Sequence, residues 1–175
     1  VYARSSGSVA APTAGLHFTT HLLDELDTVG VQRTTITLHV GYGTFKPVRV
    51  RSVEDHEVDP ERYVVDSAAA DALSRALRDR RRIVAVGTTT TRALESLRVE
   101  NGIVMPGEGE TRLFIRPGHR FELVAGLITN FHLPKSSLLI LTAAFAGRDE
   151  ILAVYNDAVR QRYRFYSYGD AMLIL

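Results

Sequence analysis

Four apolar residues in a row, Ile83-Val84-Ala85-Val86, stop at Gly87 and give way to Thr88-Thr89-Thr90-Thr91-Arg92 and then to helix formers as far as about Arg98. A strand without polar alternation has both faces covered, as in a parallel sheet with helices on either side. A helix opening directly behind it gathers unpaired amides, hydroxyls and a guanidinium at the strand's carboxyl end, where α/β sheets hold their ligands. A carboxylate or a phosphate suits such a turn. N-capping by one of the threonines, with Arg92 on the surface, is the competing explanation.

The flanking patterns agree with an α/β domain. Leu22, Leu23, Leu26 and Val29 have helical spacing, which predicts a helix near 18–29 closed by Gly30. Val31 to Val40 is rich in β-branched residues, with Ile36, Leu38 and Val40 alternating, and predicts a strand. Glu61 to Asp66 predicts a short strand. Ser67 starts a helix with Ala68, Ala72, Leu73, Ala76 and Leu77 on one face, finished by Arg75, Arg78, Arg80, Arg81 and Arg82. Asn101 to Glu110 reads as an exposed polar loop, Leu113-Phe114-Ile115 and Leu127-Ile128-Thr129 as short strands, and 137–146 and 149–163 as helices. Together these predict one domain over 1–175, a mainly parallel sheet flanked by helices.

Composition narrows the functional classes. With 45% hydrophobic and 23% charged among 175 residues, the chain can bury a substantial core. Twenty-one basic against twenty acidic residues leave a formal charge of +1, so any nucleic-acid footprint must be local. There is no cysteine, hence no thiolate nucleophile or disulfide framework. Histidines occur in no HExxH pair, and His17 with His21 lacks a companion carboxylate, so no metal is expected. The apolar run Leu138 to Ala146 is too short to span a bilayer, and no cleavable leader opens the chain, so a cytoplasmic setting is expected. The start at Val1, directly in a motif, predicts further residues upstream.

Four further blocks carry chemistry. In Thr129-Asn130-Phe131-His132-Leu133-Pro134-Lys135-Ser136-Ser137, Pro134 stiffens a loop that presents an imidazole, an amide and an ammonium, and Ser136 or Ser137 can cap the following helix. His39-Val40-Gly41-Tyr42-Gly43-Thr44-Phe45-Lys46-Pro47 allows close backbone approach to a ligand beside His39 and Lys46; a hairpin turn explains it comparably. The loop Pro12 to Thr19 points His17 toward a site or uses it structurally. In the tail, Arg160, Arg162 and Arg164 alternate with Tyr163, Phe165, Tyr166 and Tyr168, which suits phosphate contact and base stacking, or the packing of a helix on the sheet.

Taken together the blocks AAPTAGLHFT, TLHVGYGTFKPVRV, VAVGTTTTRALES, FIRPGHRF, LITNFHLPKSSLLILTAAFAGR and YRFYSYGDAMLI resemble, in this order, the S-adenosylmethionine:tRNA ribosyltransferase-isomerases of queuosine biosynthesis. The resemblance covers nearly the entire chain. It implies transfer of the ribosyl part of S-adenosylmethionine, a co-substrate, to 7-aminomethyl-7-deazaguanine at the tRNA wobble position, with loss of adenine and methionine. It implies His132, His17 and His39 as proton carriers, and Gly41, Gly43, Thr44, Lys46, Thr88, Thr89, Arg92, Asn130 and Lys135 as substrate contacts. Arg160, Arg162, Arg164 and Tyr166 would meet the anticodon stem-loop, with the protein acting as a monomer. By the same resemblance the chain is the C-terminal part of the family's large domain, without the inserted small β-barrel domain, as a fragment or a reduced paralogue. Two departures bear on the acceptor. Asp59 stands where an HxMHxE-type segment has its second histidine, and Arg112 where the family has an aspartate.

Overall fold

The structure, a computed structural model, describes Ser8, residues 11–41 and residues 47–175. After a 3-10 turn at Thr13–His17 come α1 (Thr20–Thr28), β1 (Thr37–His39), β2 (Glu61–Val65), α2 (Ser67–Arg78), β3 (Val84–Val86) and α3 (Thr88–Glu95). There follow β4 (Val99–Glu100), β5 (Ile103–Val104), β6 (Gly107–Thr111), β7 (Gly126–Asn130), α4 (Ser137–Ala146), α5 (Arg148–Arg160) and β8 (Ala171–Ile174). Helix starts follow local chemistry: the Ala69 N–H donates to the Asp66 carboxylate at 2.8 Å, and the Leu139 N–H to Ser136 Oγ at 3.2 Å. Among the described residues no helix is long and apolar enough to cross a membrane.

The α/β class is as expected, but the sheet is not mainly parallel. Among the described residues parallel pairing is confined to β3 with β7, where Val84, Ala85 and Val86 face Gly126, Leu127 and Ile128. β8 closes the other side of β7 antiparallel, and a second sheet of order β1-β2-β6 is antiparallel throughout. Segments whose pairing is set by distant partners account for the difference. Residues 101–110, expected as a loop, supply β5, which pairs with β4, and most of β6, a polar, glycine-rich stretch whose backbone hydrogen bonds β2 takes up. Gly109 sits so near Tyr63 that a Cβ there would lie 2.6 Å from the phenol oxygen. Conversely Val31 to Ile36 and Leu113 to Ile115 are not strands, although Ile115 is fully buried.

One core cluster lies between α2, α3, α4 and the sheets, around Val65, Leu73, Leu94, Ile115, Leu127 and Leu141. A smaller one joins α5 to the segment after β7 through Phe131, Ile151, Tyr155 and Ala158. Phe131 sits among Tyr155, Tyr163 and Phe165 with ring centroids 5.2–5.7 Å apart. The first cluster takes in Ala85 of β3 and Leu127 of β7, and the second packs on Phe131 directly after β7, which fixes where the carboxyl ends of these strands point.

Candidate active site

Those carboxyl ends open on a cavity of about 250 Å³. Residues 11–14 roof it, Gly87 to Thr90 come from β3 and the start of α3, and Thr129, Asn130 and residues 132–136 follow β7. Leu38, Val40, Pro47 and Leu138 add apolar wall, and Tyr166 and Ser167 close one side. Five blocks distant in sequence thus meet in one place, since each leaves an element whose own core packing is settled elsewhere.

The α3 end of the cavity is rich in free donors. Gly87, at φ 96°, is the N-cap and offers no side chain to the first turn. None of the threonines caps in its place: Thr90 Oγ1 donates to the Val86 carbonyl at 2.8 Å and Thr91 Oγ1 to Gly87 at 3.1 Å. The first-turn amides are therefore uncapped by any side chain and carry the positive end of the helix dipole.

Opposite them lies His132. Its ring is buried, its Nε2 is 2.8 Å from Thr129 Oγ1, and its backbone N–H donates to the Tyr155 phenol oxygen at 2.9 Å. Burial lowers the imidazole pKa to about 4, so the ring is neutral at physiological pH. The Tyr155 pKa is raised, again chiefly by burial. Buried Asn130 joins three segments: its Nδ2 donates to the Gly169 carbonyl at 3.2 Å and meets His17 Nε2 at 3.2 Å, and its Oδ1 accepts from Thr13 Oγ1 at 3.3 Å. Lys135 is exposed at the cavity edge in a left-handed conformation, φ 59°, held by the Val48 N–H bonded to its carbonyl at 2.7 Å. Left-handed backbone at a residue with a Cβ costs roughly 1–2 kcal/mol and is met where a loop is fixed by its surroundings.

The structure brings Thr88, Thr89, Asn130, His132, Lys135 and Tyr166 to this cavity, with His17 behind Asn130. His39 does not line it: Leu38 and Val40 do, and strand alternation turns the residue between them away. Gly41 is exposed, while Gly43, Thr44 and Lys46 lie outside the described residues. Arg92, expected as a substrate contact, does not line this cavity. It is buried away from the cavity, its NH1 lies 2.8 Å from the Glu61 carboxylate, and its Nε donates to the Leu113 carbonyl at 2.8 Å. A buried guanidinium needs a carboxylate, and this one finds it within the chain.

In the tail, Arg160 is paired with Asp157 at 2.9 Å and Arg164 with Asp170 at 2.7 Å; Arg162 is exposed. Its aromatics divide: Tyr155, Tyr163 and Phe165 pack on Phe131, whereas Tyr166 reaches the cavity. Sequence reasoning missed Thr13, Thr129 and Glu61. Only Thr129 carried a signal, standing three residues before His132 at the end of an expected strand. Asp59 and Arg112 lie off the cavity; the Asp59 carbonyl accepts from Arg92 at 3.5 Å, and exposed Arg112 lies 3.6 Å from Glu110.

Fold and site define an α/β protein with a ligand-sized cavity at the carboxyl ends of paired parallel strands. A family model described as queuosine biosynthesis protein matches residues 1–174, and the chain belongs to that family. A protein of Geobacter metallireducens named S-adenosylmethionine:tRNA ribosyltransferase-isomerase is 54% identical over 174 residues, which cover 99% of this chain and 51% of that protein. A relative of the same name from Carboxydothermus hydrogenoformans is 53% identical, over 100% of this chain and 52% of its own length. The crystal structure of an S-adenosylmethionine tRNA ribosyltransferase from Thermotoga maritima matches with a TM-score of 0.76 and 44% identity, over 93% of this chain and 51% of that one. The chain thus spans about half the length of the curated relatives it matches.

Proposed function

We propose that residues 1–175 serve as one α/β domain, the cavity-bearing part of an S-adenosylmethionine:tRNA ribosyltransferase-isomerase acting as a monomer in the cytoplasm. The reaction moves the ribosyl group of S-adenosylmethionine to the amine of 7-aminomethyl-7-deazaguanine at the tRNA wobble position. Adenine and methionine leave, and the sugar becomes an epoxycyclopentanediol. The observation that carries this reading is the convergence of family-like blocks on one cavity holding a buried, neutral imidazole.

The chain's own groups suit the demands of that substrate. The uncapped amides of α3 and the Thr88 hydroxyl offer donors to the methionine carboxylate, while Thr89 Oγ1 donates to Glu61 at 3.4 Å, and Leu38, Val40 and Leu138 cover the apolar parts of the methionine. A neutral His132 does not repel a sulfonium, and its free electron pair can accept the acidified proton next to sulfur. Thr129 orients the ring, and Asn130 keeps His17 at the edge, from which a proton can reach the departing adenine. Lys135, exposed at the rim, is offered to an RNA phosphate.

The test is incubation of the full-length protein with S-adenosylmethionine and an anticodon stem-loop bearing the deazaguanine. Adenine release that depends on this RNA is expected. Release with a different acceptor only, or ligand binding without any release, would overturn the reading.

A further inference from the structure

Many exposed arginines of this chain are held by its own carboxylates: Arg98 by Glu100, Arg148 by Asp149 at 3.1 Å, and Arg160 and Arg164 in the tail. The cluster behind α2 is different. Arg75, Arg80, Arg81 and Arg82 are exposed, and among the described residues none has a side-chain partner; Arg78 comes within 3.9 Å of Asp79. Arg120 and Arg162, also unpaired, stand singly, and exposed Arg49 and Arg51 form a smaller unpaired pair.

The end of α2 makes the cluster harder to dismiss as a solvated surface. Arg80 N–H bonds the Leu77 carbonyl at 3.1 Å and Arg81 N–H the Ala76 carbonyl at 2.8 Å, the hydrogen-bond pattern that usually places glycine at the first residue beyond the cap. Here that residue is Arg80, at φ 53°. The chain accepts left-handed strain there and keeps a charge. Arg75 and Arg78 complement the helix dipole from the last turn, but Arg80, Arg81 and Arg82 lie past it.

The cluster immediately precedes β3, whose far end delivers Gly87 to the cavity. Four residues, hence five steps of extended chain, separate Arg82 from Gly87, about 16 Å at the rise of a strand. A small co-substrate cannot reach both places; a polymer can. We infer that Arg80, Arg81 and Arg82 form a docking surface for the phosphate backbone of the RNA whose reactive nucleotide enters the cavity. This rests on the preceding reading for the identity of the polyanion, and it moves the main phosphate contact from the tail, where Arg160 and Arg164 are already paired, to the opposite end of the sheet.

The test compares full-length wild type with the triple variant Arg80→Gln/Arg81→Gln/Arg82→Gln, with Arg148→Gln as control, in binding the deazaguanine-bearing tRNA across a salt series. Each lost phosphate contact reduces the slope of log affinity against log salt by about 0.7–0.9, so the advantage of wild type shrinks roughly 20- to 40-fold between about 50 and about 200 mM salt. KM for tRNA rises in the triple variant, whereas kcat at saturating tRNA, KM for S-adenosylmethionine and the melting temperature stay at wild-type values. Lysines at the three positions restore the slope, because a point charge suffices for phosphate. An unchanged slope overturns the proposal, as does loss of binding to phosphatidylserine vesicles with RNA binding intact. If no RNA-dependent adenine release occurs in wild type while the triple variant still lowers the salt slope, the enzymatic reading fails and the docking surface stands.

Discussion

His132 illustrates how burial sets the state of a single side chain. Its folded pKa of about 4 lies below the ordinary histidine value of 6.5, so between these two values the unfolded chain binds the extra proton. The stabilisation is fully present above pH 6.5 and is lost as pH falls toward 4, by a total of about 3 kcal/mol at lower pH, if no other group compensates. Thermal unfolding from pH 7.5 to 4 should therefore show a steeper loss of stability in wild type than in His132→Gln; parallel curves would mean that the ring is not buried in its neutral form. In the proposed reaction, His132→Ala should lower turnover roughly 10²- to 10⁴-fold, the usual range for a positioned proton acceptor, with near-wild-type S-adenosylmethionine affinity. Unchanged turnover removes it from the mechanism. Sequence alone exposed this residue through its company of Asn130, Pro134 and Lys135, but its neutrality depends on a burial that no local pattern encodes.

Between elements, α3 is held at both ends by carboxylates. Near its start Thr89 Oγ1 donates to Glu61 of β2 at 3.4 Å, and Arg92, in the last turn, pairs with the same carboxylate; the Arg92 and Glu61 side chains are almost fully buried. Removing only the cation leaves a buried carboxylate uncompensated, so Arg92→Met should cost about 3–5 kcal/mol in urea unfolding, and Arg92→Met/Glu61→Leu less than Arg92→Met alone. Equal losses would argue against a coupled pair. At the other end the Glu95 carboxylate accepts the Glu122, Leu123 and Val124 amides at 2.8–3.0 Å and lies 3.3 Å from His119 Nε2. This ties α3 to the segment that leads into β7, so the two walls of the cavity share one anchor. Glu95→Gln, with a single acceptor oxygen, should cost about 2 kcal/mol and speed hydrogen exchange of amides 122–124 specifically. Uniform protection there would count against the anchor.

For the whole molecule, the decisive contact is between the last strand and the middle of the chain. β8 pairs with all of β7 but its first residue, and β7 carries fully buried Leu127 and ends in Asn130. Deleting residues 171–175 should replace cooperative melting by a broad transition, since it strips one edge from the strand that supports the cavity; a sharp wild-type melt would show β8 to be dispensable. This strand was illegible in sequence because Ala171-Met172-Leu173-Ile174 is short, and its pairing partner is more than forty residues away. β6 was illegible for the opposite reason, a polar glycine-rich composition that reads as loop until β2 lies beside it. Residue chemistry by itself determined the helices, whose caps and apolar spacing are local, the strand before Gly87, though not that it is an edge strand with Val84 exposed, and the blocks that group around the cavity. Only tertiary structure decided that sheet pairing is largely antiparallel, that Arg92 faces Glu61 rather than the cavity, and that His132 is neutral, because each depends on a partner distant in sequence whose approach is set by the packing of the two cores.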